Sequence, residues 1–139
     1  MLDDCIFCKI VAGEISASKI YEDDKILAFL DIKPVNPGHT LIISKDHFAD
    51  FLQAPDEIIC QMTLATKKIG KKILASGLGE AITFTFNNGR AAGQVVDHVH
   101  LHVMPRKSGD GYELWHGKEY APRRGRKNCR ETKNRFIVF

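Results

Sequence analysis

Residues 98–104 read His98-Val99-His100-Leu101-His102-Val103-Met104, a strict alternation of imidazole and apolar side chains. A period of two belongs to a strand, so the three imidazoles share one face while Val99, Leu101 and Val103 point to the core. The strand is expected to end at Pro105. At about 3.3 Å per residue, His98 and His102 lie roughly 13 Å apart, too far to share one metal whose bonds to nitrogen are about 2 Å. An imidazole row on an exposed face is not packing, and the three histidines are expected to divide their labour.

Working outward, Ala81 to Phe86 is a strand, and Asn87-Asn88-Gly89-Arg90-Ala91-Ala92-Gly93-Gln94 is a turn-rich loop joining the two. This loop is not a Walker loop, although its glycines can turn backbone N–H groups toward an anion. His39 to Ser44 is an apolar run of the buried-strand type, preceded by the breakers Pro34, Pro37 and Gly38. Lys19 to Glu22 and Ile26 to Asp31 flank Asp23-Asp24 as a hairpin. Residues 55 to 75 carry Ile58, Ile59, Met62, Leu64, Ala65, Ile69, Ile73 and Leu74 at helical spacing among lysines, the one long helix, closed by Gly77. Asp4 to Ala12 is a short helix ended by Gly13. About five strands around one long helix, without regular β-α alternation, predict an α+β fold with a mainly antiparallel sheet.

With 139 residues, 44% apolar and 27% charged, the chain has the length and composition of one globular domain. No apolar run approaches the roughly 20 residues of a membrane span. The N-terminus lacks a signal-peptide pattern, so a cytoplasmic, reducing compartment is expected, with thiols rather than disulfides. The net charge of +3 is unevenly placed. Residues 122–139 hold seven Lys or Arg and one Glu, whereas residues 1–121 hold 13 basic and 16 acidic residues. The chain therefore divides into a domain over 1–121 and a basic tail over 122–139, and its basicity is no argument that the domain binds nucleic acid.

Gly93-Gln94-x-x-x-His98-Val99-His100-Leu101-His102-Val103 resembles the signature of the histidine triad (HIT) family of nucleotide hydrolases and transferases. CIFCKIVAGEI, LAFLDIKPVNPGHTLIISKDH and GDGYELW are similar to further family segments, in the family's order, from Cys5 to about Trp115. The likeness is greatest to the Hint branch with an N-terminal cysteine pair. It implies a HIT-like fold and cleavage at the α-phosphate of purine nucleotide derivatives, such as nucleoside phosphoramidates. His100 matches the family nucleophile, which forms a nucleotidyl-imidazole intermediate, and His102 matches the residue that hydrogen-bonds the phosphate or leaving group. Gly93, Gln94 and Val95 match the phosphate-contacting segment, and Asn87 an asparagine near the same phosphate. Asp31 matches the acid that holds the ribose hydroxyls, with Phe7, Phe29 and Ile32 around the base, and His39 a histidine behind the triad. Val95 stands where the branch often has Ser, a departure that favours slow turnover and motivates a second reading, a nucleotide-binding regulatory module with little activity.

Cys5-Ile6-Phe7-Cys8 is a C-x2-C knuckle, open from its residues alone to zinc, redox or no role. The resemblance implies structural Zn2+ held by Cys5, Cys8, His47 and His98, no catalytic metal, and a homodimer. Cys60 is expected to be a small core residue. The tail departs from similar bacterial members, which continue into an acidic amphipathic helix. Codons available to it, read one base later, encode such a peptide, and the tail is therefore expected to be a frameshifted ending rather than a nucleic-acid arm.

Overall fold

The computed structural model describes residues 4–113 and 115–135. In chain order these form α1 (Ile6–Ala12), β1 (Lys19–Glu22), β2 (Ile26–Leu30), β3 (Thr40–Ser44), α2 (Asp56–Ala75), β4 (Ala81–Phe86), a 3-10 turn (Arg90–Ala92), β5 (His100–Arg106) and α3 (Arg124–Arg135). The five strands make one antiparallel sheet in the order β1-β2-β3-β5-β4. The fold is α+β, as the pattern of runs predicts.

Apolar side chains pack on both faces of the sheet. On one face α2 lays Ile58, Met62, Ala65, Ile69 and Ile73 against Ile26, Ala28, Ile42, Val99, Leu101 and Val103. On the other, α1 adds Phe7 and Ile10 to Leu27, Phe29, Leu41 and Ile43. Burial on both sides explains why β2 and β3 read as continuous apolar runs without alternation. Helix α2 can approach β4 closely because Gly70 carries no side chain: a Cβ there would sit 3.1 Å from both Ile82 and Phe84. Helix α1 ends on Gly13, whose left-handed φ of 80° lets its N–H close back on the helix.

Three expectations change. The histidine face is not open: α1 covers it, His98 is fully buried and His100 is 6% exposed. The last strand begins at His100 rather than His98, because the chain bends so that the Val99 N–H bonds Phe48 O at 2.7 Å, and it runs through Pro105. Pro105 is tolerated there because pairing with β3 stops at Val103, and the Asn36 amide instead caps the Pro105 carbonyl at 2.9 Å. Cys60 is exposed on α2, off the stripe that Ile58, Met62, Ala65 and Ile69 bury. The tail adds α3, whose described side chains are exposed apart from partial cover at Gly125 and Asn128.

Candidate active site and metal centre

Strand β5 sets His100 and His102 on the α1 side, with ring centroids 5.1 Å apart. The partners of each ring fix where its hydrogen lies. His100 Nδ1 is 2.6 Å from the carbonyl of His98, so Nδ1 carries the hydrogen and Nε2 keeps its lone pair. Burial pushes the His100 pKa below its ordinary value, against the pull of that carbonyl and of Asp31. At neutral pH the ring is therefore uncharged, with a basic nitrogen available for nucleophilic attack.

His102 has its hydrogen placed by a relay. The Val35 N–H donates to His39 Nδ1 at 3.2 Å, which leaves the hydrogen of His39 on Nε2. His39 Nε2 is 3.0 Å from His102 Nδ1 and donates to it, so His102 presents Nε2–H outward as a donor. Burial, reinforced by the neighbouring His100 and His39, pushes the His102 pKa down to about 4. Asp31 lies 3.7 Å from His39 Nδ1, too far to compete with the Val35 amide. Its other oxygen accepts the Lys33 N–H at 2.8 Å. Ile32 beside it is 89% exposed, an apolar surface next to the carboxylate, while Phe7 and Phe29 are buried edge to face at 5.8 Å.

The loop between β4 and β5 is braced from inside. The Gln94 side chain is buried and committed: its amide donates to Ala49 O at 2.7 Å and Val96 O at 2.9 Å, and its oxygen accepts the Gly89 N–H at 2.7 Å. The backbone N–H groups of Gly93 and Gln94 close onto Arg90 O and Gly89 O. Among the groups of this segment left for an anion are the Val95 N–H and the Asn87 amide nitrogen, the Asn87 oxygen taking the Thr85 hydroxyl at 3.2 Å. Val95 itself is 75% exposed.

Cys5, Cys8, His47 and His98 converge, with one ligand atom from each lying within 4.8 Å of the others. Cys5 Sγ and Cys8 Sγ are 3.4 and 3.7 Å from His98 Nδ1, Cys8 Sγ is 3.4 Å from His47 Nδ1, and the two Nδ1 atoms are 3.3 Å apart. Tetrahedral zinc with bonds of about 2.0–2.1 Å to N and 2.3 Å to S requires such atoms to be about 3.3–3.8 Å apart. His98 Nε2 donates to Ser44 O at 2.9 Å, which leaves Nδ1 bare and aimed at the thiols. Two thiols and two imidazoles in this arrangement fit zinc, and the four could hold a metal. Asp31, His39 and His102 also lie close together, but the hydrogen bond between the two histidines accounts for that grouping.

The HIT domain profile matches residues 12–109. The chain belongs to the HIT family. It is 48% identical over 107 residues to an uncharacterised HIT-like protein of Methanocaldococcus jannaschii, covering 77% of this chain and 82% of that one. It is 43% identical over 107 residues to the adenosine 5'-monophosphoramidase of Candida albicans, covering 74% and 70%. An adenylylsulfatase of Arabidopsis thaliana is 40% identical over 108 residues, 78% of this chain and 55% of the relative. Among solved structures, a HIT family member from Bacillus subtilis superposes with a TM-score of 0.87 at 37% identity, covering 99% of this chain and 100% of that one. A zinc-bound histidine triad protein from Mycobacterium smegmatis gives 0.76 at 37% identity over 84% of each. This HIT protein thus has hydrolases of nucleotide derivatives among its relatives.

Sequence reasoning named His39, His47, His98, His100, His102 and the cysteine pair, which the structure brings together, and missed the backbone groups that orient them: Ser44 O, His98 O and the Val35 N–H. Main-chain partners leave no signal in residue identity. It also missed that Phe7 lies against His98 and His100, a contact that only the packing of α1 makes visible.

Proposed function

We propose that this HIT protein is a nucleotidyl hydrolase that cleaves purine nucleoside phosphoramidates or related nucleotide conjugates at the α-phosphate. The observation that carries the reading is the 2.6 Å bond from His100 Nδ1 to the His98 carbonyl, which leaves Nε2 as a neutral nucleophile. Nε2 attacks phosphorus, a P–N bond to the imidazole forms, and the bond to the leaving group breaks. His102 Nε2–H stands ready to hydrogen-bond the phosphate or the departing nitrogen, which takes its proton from solvent. Water then attacks the same phosphorus, the P–N bond to His100 breaks, and the nucleoside monophosphate leaves. Asn87 and the Val95 N–H serve the phosphate, Asp31 the ribose hydroxyls, and Ile32, Phe7 and Phe29 the base. Gly93 and Gln94 act through the shape of the loop.

Cys5, Cys8, His47 and His98 would hold zinc with four protein ligands, which would make its part structural, and no step passes through it. A homodimer is supported by the sheet edge at β4, whose Phe84 is 50% exposed beside a groove of about 580 Å³ between α2 and β4. The cytoplasm, where thiols stay reduced, suits the cysteine pair. No helix among the described residues is long and apolar enough to cross a membrane.

His100→Ala is expected to abolish turnover while nucleotide binding survives, and activity within tenfold of wild type would overturn the mechanism. The second reading, a nucleotide-binding regulator with little turnover, rests on Val95, which offers no hydroxyl at the mouth of the phosphate loop. A panel of adenosine and guanosine phosphoramidates and dinucleoside polyphosphates separates the two: binding without turnover across the panel favours the regulator.

A further inference from the structure

We propose that Phe7 is a positioning residue for the nucleophile, and that through it the state of the metal centre sets the pose of His100. The proposal rests on the hydrolase reading for its consequence in rate, but its structural content is independent of that reading.

Helix α1 has seven residues, too few to hold together in water on its own. It is pinned at two points of its N-terminal end, by Cys5 at the cap position and by Cys8 in the first turn, both in the ligand cluster. Phe7 lies between these two cysteines, and its buried ring is wedged between a ligand and the nucleophile. The ring stands edge to face with His98 at 5.8 Å and 78°, and with His100 at 5.4 Å and 75°.

The His100 imidazole has one hydrogen bond, from Nδ1 to the His98 carbonyl, and that carbonyl belongs to a metal-ligand residue. A single bond at one corner lets a ring rock about it. The flanking rings, Phe7 on one side and His102 at 5.1 Å and 70°, set its plane and hence the direction of the Nε2 lone pair. Attack on phosphorus requires alignment of that lone pair, and small misplacements cost large factors in rate. When the four ligands are drawn together, α1 is held down and Phe7 is pressed on His100. When they are not, two thiols and two imidazoles crowd without a cation to bind them, the pins of α1 loosen, and Phe7 loosens with them. The cluster is also reachable, because a cleft of about 640 Å³ lined by Cys5, His47, Arg90 and Val95 opens onto two of its four residues. The cluster is therefore open to a chelator from the side of Cys5 and His47.

The test compares zinc-loaded and zinc-stripped wild type with zinc-loaded and zinc-stripped Phe7→Leu, and with Ile10→Val as a packing control on the same helix. Imidazole nitrogen spectra of 15N-histidine protein report the His100 tautomer and its exchange, without any need for turnover. Zinc-loaded wild type and Ile10→Val should show one His100 form with the hydrogen on Nδ1. Zinc-loaded Phe7→Leu, at one metal per chain, and stripped wild type should both show an averaged, mobile ring. In turnover, Phe7→Leu should lower kcat about tenfold, well beyond any loss of nucleoside monophosphate affinity that its place near the base brings. Stripping should lower wild-type kcat by a similar factor and lower Phe7→Leu little further, and restored zinc should restore wild type. Unchanged His100 spectra in Phe7→Leu and in stripped wild type would overturn the proposal, as would fully multiplicative losses. A fall in nucleotide affinity that matches the fall in kcat would overturn it too, by accounting for the whole effect through the base pocket. Turnover surviving in His100→Ala would instead strike the hydrolase reading and leave the spectra to decide the coupling.

Discussion

Removing His39 should damage catalysis in a way that depends on the leaving group. His39 is 3% exposed and makes no contact that a substrate could use directly, yet it sits between the Val35 N–H at 3.2 Å and His102 Nδ1 at 3.0 Å. In His39→Leu the donor to His102 Nδ1 is lost. The His102 ring is then free to put its hydrogen on Nδ1, leaving no N–H toward the substrate. Leaving a buried acceptor unpaired costs about 1–3 kcal/mol. If that full amount is lost from the transition state, kcat falls by about 5- to 150-fold, at about 1.4 kcal/mol per factor of ten. The loss should be full for an amine leaving group, whose developing charge on nitrogen needs the His102 hydrogen bond, and small for a phenolate leaving group of low pKa, which does not. His39→Gln keeps an N–H near the position of Nε2 and should recover much of the rate. The assay is steady-state kcat on a phosphoramidate and on an aryl ester of the same nucleotide, with melting curves showing that each variant is folded at the assay temperature. Equal losses on the two substrates, or no recovery in His39→Gln, would refute the relay.

Protein purified without chelator should hold one zinc per chain, and Cys8→Ser should lose the metal and melt lower, since structural zinc contributes apparent binding of about 10–16 kcal/mol; elemental analysis without zinc would count against the site. A chelator that strips the zinc should slow turnover about tenfold without abolishing it, because no step passes through the metal. His102 titrates near 6.5 when unfolded and at about 4 when folded. Over that window the unfolded chain binds the extra proton, so this contribution is present above pH 6.5 and lost on acidification toward 4. For this half-buried ring it is of order 2 kcal/mol after discount for solvent. Urea midpoints from pH 7 to 4 should fall less steeply in His102→Asn than in wild type, and equal slopes would contradict the assignment. Deleting residues 123–139 should leave activity, zinc content and oligomeric state nearly unchanged, and a tenfold loss of activity would give the tail a role.

The alternation from His98 to Met104 was enough to put the right residues on the right faces, because a period of two survives any end effect. It could not show that the histidine face is covered, since the cover comes from α1, some 90 residues away in sequence. Nor could it show that His98 leaves the ladder: the Val99 N–H goes to Phe48 O instead of a neighbouring strand. Both faces of β2 and β3 are buried, and their continuous apolar runs say so without saying by what. Gln94 illustrates the opposite error. Its place in a phosphate-loop pattern invites a ligand contact, whereas its side chain is spent on Ala49, Val96 and Gly89. Cys60 was assigned to the core on residue type alone, but its place on α2 falls outside the stripe marked by Ile58, Met62, Ala65 and Ile69.

The central claim is that His100 Nε2 becomes bonded to phosphorus during turnover. Rapid acid-free quenching of a reaction with α-32P-labelled adenosine phosphoramidate, followed by proteolysis and mass spectrometry, tests this directly. The account predicts one nucleotidyl group per active chain on the peptide containing His100, formed before product release and absent in His100→Ala. Full product formation with no protein-bound label at any time, or label on a residue other than His100, would contradict it.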